Sequence, residues 1–263
     1  MTPAARTAGE AYDFTDPGDA LRFVRGVEYP YFASSIFPFE MAYFLYECAR
    51  AGIECIIESG RMHGYSTAVL AEYGARQGLR IVSIDYEVDP AVARDCRERL
   101  SSFPAVELIT GESFRELPRV LRRENRAIAL LVDGPKNHNA VYLSSTAAAF
   151  GTVRLIAHHN AYEPSFGHFC DRFPDPARPE GSSVLGCEAF AAFRLWESEL
   201  TRGTSRDLAS SSLALELLPV AGPDTRYLRG GTRQRTLLSH LIFWWWRLGA
   251  PPLWFPKAPL SGL

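Results

Sequence analysis

The sequence predicts an α/β protein built on a doubly wound, mostly parallel sheet with helices on both faces. Three observations predict it. Short apolar runs alternate with segments of helical spacing from residue 53 to residue 157. The runs at 55–57 and 127–132 are apolar throughout, as strands covered on both faces require. The polar residues that could do chemistry lie just after these runs, and a parallel sheet collects such positions at one edge.

Taken in order, residues 1–16 read as a frayed tail. Asp19 to Val24 suit a short helix. Phe37, Met41, Phe44, Leu45 and Cys48 fall on one helical face, and Gly52 stops that helix. The first strand covers 53–58. A turn with Gly60 and Gly64 follows, and Ser66 and Thr67 sit at the entrance of a helix over 65–76. The second strand, 81–85, ends on Asp85. Asp89 and Pro90 open the next helix as cap and first residue, with Val92, Cys96 and Leu100 as its buried stripe. The third strand is 106–110. After Gly111-Glu112-Ser113, a helix carries Phe114, Leu117, Val120 and Leu121, and Pro118 demands that it lie near the first turn.

The fourth strand, 127–132, ends in Asp133-Gly134-Pro135-Lys136, and a helix covers 138–149. The fifth, 153–157, ends in His158-His159-Asn160. Residues 161–182 are too long for an ordinary connection and too aromatic for a linker, so they read as a loop over the site. Leu185, Ala189, Phe193, Trp196 and Leu200 mark a helix. Leu213, Leu215 and Leu217 alternate as in a strand, and Thr225 to Leu228 would be its antiparallel partner at the sheet edge. The expected divisions are 1–36, an N-terminal tail and short helix; 37–230, the main domain; and 231–263, an aromatic helix and proline-rich tail.

Composition narrows the function. A net charge of −2 gives no electrostatic case for nucleic acid. Five widely spaced cysteines without a CxxC pair read as reduced core thiols of a cytoplasmic protein. The N-terminus has no secretory pattern. The aromatic segment 237–248, with Trp244, Trp245 and Trp246, is shorter than the roughly 18 apolar residues a spanning helix needs. It leaves open a homodimer contact, a peripheral membrane contact, or packing on the domain's own surface.

The strand ends carry the chemistry. The first turn reads Glu58-x-Gly60-x-x-x-Gly64-x-Ser66, not the GxGxxG of dinucleotide sites. Asp85 stands where a carboxylate can accept from both hydroxyls of a ribose, and Glu87 is its alternative. Tyr86 could lie against a flat ring or simply pack. Ser113 could touch a ligand or cap the helix that begins at Phe114. Lys136 is one of only two lysines, with Lys257, among 28 basic residues. Lysine, unlike arginine, can give up its proton when its surroundings favour the amine.

These motifs together resemble class I S-adenosylmethionine-dependent methyltransferases, and the ESGRMHGYST turn is similar to that of the catechol- and macrocin-type small-molecule O-methyltransferases. The resemblance covers roughly 53–160. It implies a Rossmann-like sheet of seven strands with an antiparallel edge. It implies S-adenosylmethionine held by Glu58, Gly60, Gly64, Ser66, Asp85, Tyr86, Ser113 and Asp133. It implies methyl transfer to a hydroxyl of a small molecule or sugar, with Asp133 beside the reacting centre and Lys136 or His159 as the base. Catechol-type relatives bind a divalent metal through Asp at the fourth strand and Asp-Asn after the fifth. Here Asp133 and Asn160 match, but His159 replaces the second Asp, so no metal is expected; Asp133, His159 and Asn160 would be its ligands were one bound. His158 and His63 complete the polar set. The rival expectations are an NAD(P)-dependent oxidoreductase on the same layered fold, a methyltransferase-like binding protein with a decayed site, and an enzyme acting on a lipid-linked glycan.

Overall fold

The structure, a computed structural model, describes residues 12–32, 34–103, 106–148, 150–160, 187–193, 197 and 213–217. The expected loop at 161–182, the strand at 225–228, the 237–248 helix and the proline-rich tail lie outside the described residues, as do Cys170 and Lys257.

The centre of the sheet is β1 (Cys55–Ser59), buried at every position. It pairs in parallel with β2 (Arg80–Asp85) on one side and β4 (Ile128–Val132) on the other. β3 (Val106–Thr110) extends the sheet beyond β2, and β5 (Val153–His158) beyond β4. The order is β3-β2-β1-β4-β5, closed by β6 (Ala214–Leu217), which runs antiparallel to β5. Five parallel strands whose order reverses between β1 and β4 make a Rossmann-like, doubly wound arrangement, with its crevice at that reversal.

The period of two along each strand sorts side chains between two cores. Ile56, Ile81, Ala129, Leu131, Leu155 and Ala157 face one cluster. That cluster takes in α1 (Pro17–Arg25), α2 (Pro38–Arg50), α3 (Tyr65–Gln77), α4 (Pro90–Leu100) and α7 (Glu188–Phe193). Cys55, Ile57, Val82, Ile84, Leu130 and Ile156 face the other, with α5 (Ser113–Leu121) and α6 (Asn137–Ala147). Cys48, Cys55 and Cys96 are buried and unbridged, and Cys187 is unbridged and half-buried.

Helix starts follow local chemistry. Asp16 caps α1 by accepting from the Asp19 N–H at 2.8 Å, with Pro17 in first place. Asp89 caps α4 through the Ala91 and Val92 N–H groups, with Pro90 following. Three expectations need correction. Residues 12–16 are not frayed: Phe14 is buried and its ring meets Phe23 and Tyr73 edge-on, at 5.0 and 4.7 Å. The described part of 1–36 therefore shares the core of the main domain. Pro118 lies well inside α5 and not in its first turn, so the helix forgoes one backbone bond there. Glu112, not Ser113, occupies the cap position, and Ser113 is the helix's first residue.

Among the described residues no helix is long and apolar enough to cross a membrane.

The turn after β1 and the turn after β4 meet without side chains between them. The Asp133 and Gly134 N–H groups both donate to the Ser59 carbonyl, at 2.8 and 2.7 Å. Gly60 has φ +96°, and a Cβ there would lie 2.5 Å from the Gly134 nitrogen. Gly60→Ala should therefore destabilise the fold by about 2–5 kcal/mol, from backbone strain and overpacking together. A urea midpoint equal to the parent's would contradict this.

Candidate active site

Five strand ends converge at the crevice. The turn after β1 is shaped by two glycines with positive φ, Gly60 and Gly64. Gly64 is the N-cap residue of α3, and a Cβ on it would meet Cys96 Sγ at 2.7 Å and the Tyr29 hydroxyl at 2.8 Å. Tyr29 donates to the His63 carbonyl at 2.6 Å, and the His63 ring stacks on Phe32 at 4.3 Å. The segment before α2 thus braces the turn from outside.

Glu58 is fully buried. Its carboxylate accepts from the hydroxyls of Ser66, Thr67 and Ser83, each at 2.5 Å. Burial pushes its pKa up, against the pull of those hydroxyls and of Arg61. Ser66 and Thr67, expected as entrance residues of the helix, spend their hydroxyls on Glu58. Both Glu58 and Ser66 therefore act on the shape of the turn, with no surface of the Glu58 side chain left to offer a ligand.

Asp85 closes over the turn. Its Oδ2 accepts from the Arg61 and Met62 N–H groups, at 2.6 and 3.0 Å, and its Oδ1 from the Glu87 N–H at 2.6 Å. Glu87, the alternative acid, is taken up by Arg61 at 2.6 Å, Arg97 at 2.7 Å and Thr110 at 2.9 Å. Asp85 is thus the acid of the two that faces the turn. Tyr86 beside it is 53% exposed and Met62 57% exposed. On the other side Ser59 Oγ lies 2.6 Å from Ser113 Oγ and also bonds the Gly134 carbonyl, which joins β1, α5 and the turn after β4.

The ends of β4 and β5 bring together Asp133, Lys136, His159 and Asn160. Lys136 Nζ donates to Asp133 Oδ1 and, at 2.6 Å, to Asn160 Oδ1. His159 Nδ1 lies 2.6 Å from the same Asp133 oxygen, and its Nε2 faces Glu40 Oε2 at 3.5 Å. The side chains differ in access: Lys136 is 32% exposed, Asp133 20%, and His159 2%. Burial alone would raise the Asp133 pKa, but the cations Lys136 and His159 hold it well below the usual carboxylate range. Burial likewise opposes charge on His159, yet Asp133 and then Glu40 raise its pKa overall. Asp133 and Asn160 are already bonded to the Lys136 ammonium, and among the described residues no group of three His, Cys, Asp or Glu is arranged for a metal ion.

The residues named from the sequence lie at the strand ends and in the turns that follow them; His63 stacks on Phe32 behind the first turn, and His158 is buried at the end of β5. Sequence reasoning missed Ser59, Ser83, Glu40 and Glu197. Glu40 had a signal: it lies at helical spacing from Phe37 and Phe44, on the apolar face of α2, where a carboxylate needs a reason. Glu197 stands four residues after Phe193, on the same helical spacing.

Neither a protein-family model nor a curated protein sequence matches the chain. Solved structures do match. A methyltransferase of Podospora anserina, solved with S-adenosylhomocysteine, is 16% identical over 81% of this chain and 92% of its own, with a TM-score of 0.46. An O-methyltransferase of Streptomyces achromogenes involved in tomaymycin synthesis, solved with S-adenosylmethionine, is 18% identical over 81% and 92%, at 0.43. An O-methyltransferase of Bacillus cereus, solved with S-adenosylhomocysteine, is 18% identical over 80% and 92%, at 0.42.

Behind the site, Glu197 is buried against the first turn of α2. It accepts from the Phe39 N–H at 3.1 Å and pairs with Arg25 of α1 at 3.2 Å. Burial pushes its pKa up to about 7, and nearby Glu40 adds to the rise, although Phe39 and Arg25 oppose it. The folded state then holds a proton that the unfolded chain releases near its ordinary 4.5. Stability should fall as pH rises from about 4.5 to about 7, by about 3 kcal/mol from this group. Glu197→Gln should remove that fall. Thermal unfolding of both proteins at acid and neutral pH checks it, and parallel pH dependences would refute it.

Proposed function

We propose that the protein is a class I S-adenosylmethionine-dependent methyltransferase that methylates a hydroxyl of a small molecule or sugar. The observation that carries the reading is the close junction of two unlike half-sites, the glycine turn under Asp85 and the Asp133–Lys136–Asn160 cluster, at the crevice of a Rossmann-like sheet.

The donor set fits this cofactor. Asp85 uses three of the roughly four acceptor positions of a carboxylate on backbone N–H groups, which leaves acceptor capacity for a ribose hydroxyl. Tyr86 and Met62 offer exposed apolar surface beside it for a flat base. Gly60, Gly64 and Ser113 would line the amino-acid and adenine ends, with Glu58 and Ser66 setting the turn from beneath. Asp133 would hold the positively charged sulfur end of the cofactor through its carboxylate. When bound, the cofactor supplies an electrophilic methyl group.

This chain's residues then have to place an acceptor oxygen in line with that group and remove its proton. Lys136 is the candidate that reaches the surface of the site, whereas both His159 nitrogens face carboxylates within the fold. We assign the proton-accepting role to Lys136, which has to release a proton from the ammonium that Asp133 and Asn160 hold before it can act as the amine, and the orientation of Lys136 to those two residues. Lys136 would take the hydroxyl proton on Nζ, and the cofactor, when bound, would supply the methyl group that replaces it on the oxygen. The NAD(P)-dependent alternative has no GxGxxG turn to rest on.

Calorimetry should detect S-adenosylhomocysteine binding and no NAD(P)H binding, and Asp85→Ala should weaken the former about 10- to 100-fold, the value of one or two charge-assisted bonds. A folded protein that does not bind S-adenosylhomocysteine would sink the reading. Against a panel of hydroxylated acceptors, Lys136→Ala should lower turnover about 10²- to 10⁴-fold with little change in cofactor affinity. Equal turnover would remove Lys136 from the step.

A further inference from the structure

We propose that Glu40 is a positioning residue of the active centre: from α2 it clamps His159 on the side opposite Asp133, so that the imidazole serves as a fixed hydrogen-bond donor to Asp133. The catalytic meaning of this clamp rests on the methyltransferase reading.

Glu40 is far from the strand-end motifs in sequence and belongs to none of them. Its side chain is completely buried. One oxygen, Oε2, accepts from the Phe37 N–H at 2.9 Å and closes the first turn of α2. That task does not need burial, since capping acids ordinarily work from the surface. The other oxygen, Oε1, is buried without a hydrogen-bond partner among the described residues. A carboxylate held this way is costly unless a cation compensates it. The cation within reach is His159, whose Nε2 lies 3.5 Å from Oε2.

The same contact explains the state of His159. Its ring is 2% exposed, and each nitrogen faces a carboxylate, Nδ1 that of Asp133 and Nε2 that of Glu40. Among the described residues, the charged groups that face the ring are Asp133 at the end of β4 and Glu40 on α2. Lys136 follows behind Asp133. Glu197 lies behind Glu40, paired with Arg25 of α1. Without Glu40, Asp133 faces two cations and the cluster carries a net positive charge. With it the four groups balance, which suits a centre meant to receive a sulfonium. The clamp also keeps the imidazole off the acceptor and leaves proton removal to Lys136.

The test uses the full ¹⁵N-labelled chain. Long-range proton–nitrogen correlation reads both imidazole nitrogens of His159, assigned with His159→Gln. Near neutral pH both should be protonated in the parent. In Glu40→Gln, which keeps an acceptor for the Phe37 N–H but loses the charge, one nitrogen should lose its proton. Unchanged His159 signals in Glu40→Gln would overturn the proposal. So would a bare nitrogen in the parent, a measurement that holds even if the variant does not fold. Absence of S-adenosylhomocysteine binding by the parent would instead overturn the reading on which the proposal rests.

Discussion

The site depends on one close contact between backbones. Where Gly60 faces Gly134, a single added carbon would sit 2.5 Å from a peptide nitrogen. That approach lets the Ser59 carbonyl take the N–H groups of both Asp133 and Gly134. It draws the turn of β1 and the turn of β4 together across the point where the strand order reverses. Gly60 and Gly64 belong to the first turn, with Asp85 bonded over it, and Asp133 and Lys136 belong to the second. A fold that spaced them by an ordinary side chain would move the two half-sites apart by more than a reacting pair tolerates.

A second constraint is the cost of charge without water. Glu58 meets it with three hydroxyls, and Asp85 with three peptide N–H groups. At the other half-site the solution is alternation: Lys136, Asp133, His159, Glu40, then Glu197 and Arg25, with two acids adjacent only at Glu40 and Glu197. Glu197 is where a proton is retained toward neutrality, chiefly because burial opposes its charge, with the neighbouring Glu40 adding to the rise. α1 and α2 are thereby coupled electrostatically to the strand ends.

Much of the sheet was legible because its signals are local. The buried run at 127–132, the Asp89-Pro90 start and the acid-ended run at 81–85 each declare their structure within a few residues. The order of strand-end motifs then placed Asp85, Asp133, Lys136 and His159 at one edge. What escaped is non-local. Glu40 and Glu197 are 157 positions apart in the sequence and come together at the start of α2, where they accept from the Phe37 and Phe39 N–H groups. Ser66 and Thr67 look like helix-entrance residues at any distance short of seeing Glu58 beneath them. Pro118 misled for the opposite reason: α5 tolerates one missing backbone bond because Leu117, Val120 and Leu121 are buried.

A histidine rather than an acid at position 159 has a physical logic once its neighbours are seen. An acid at that position would add a third negative charge beside Asp133 and Glu40, which an added cation would have to neutralise. A histidine reverses the sign and lets the chain neutralise itself. Lys136 then spans Asp133 and Asn160 as an ammonium, and a divalent ion seeking those oxygens would first have to displace it. His159 and Glu40 therefore act as a pair: the histidine supplies the positive charge, and the buried glutamate faces it from the side opposite Asp133.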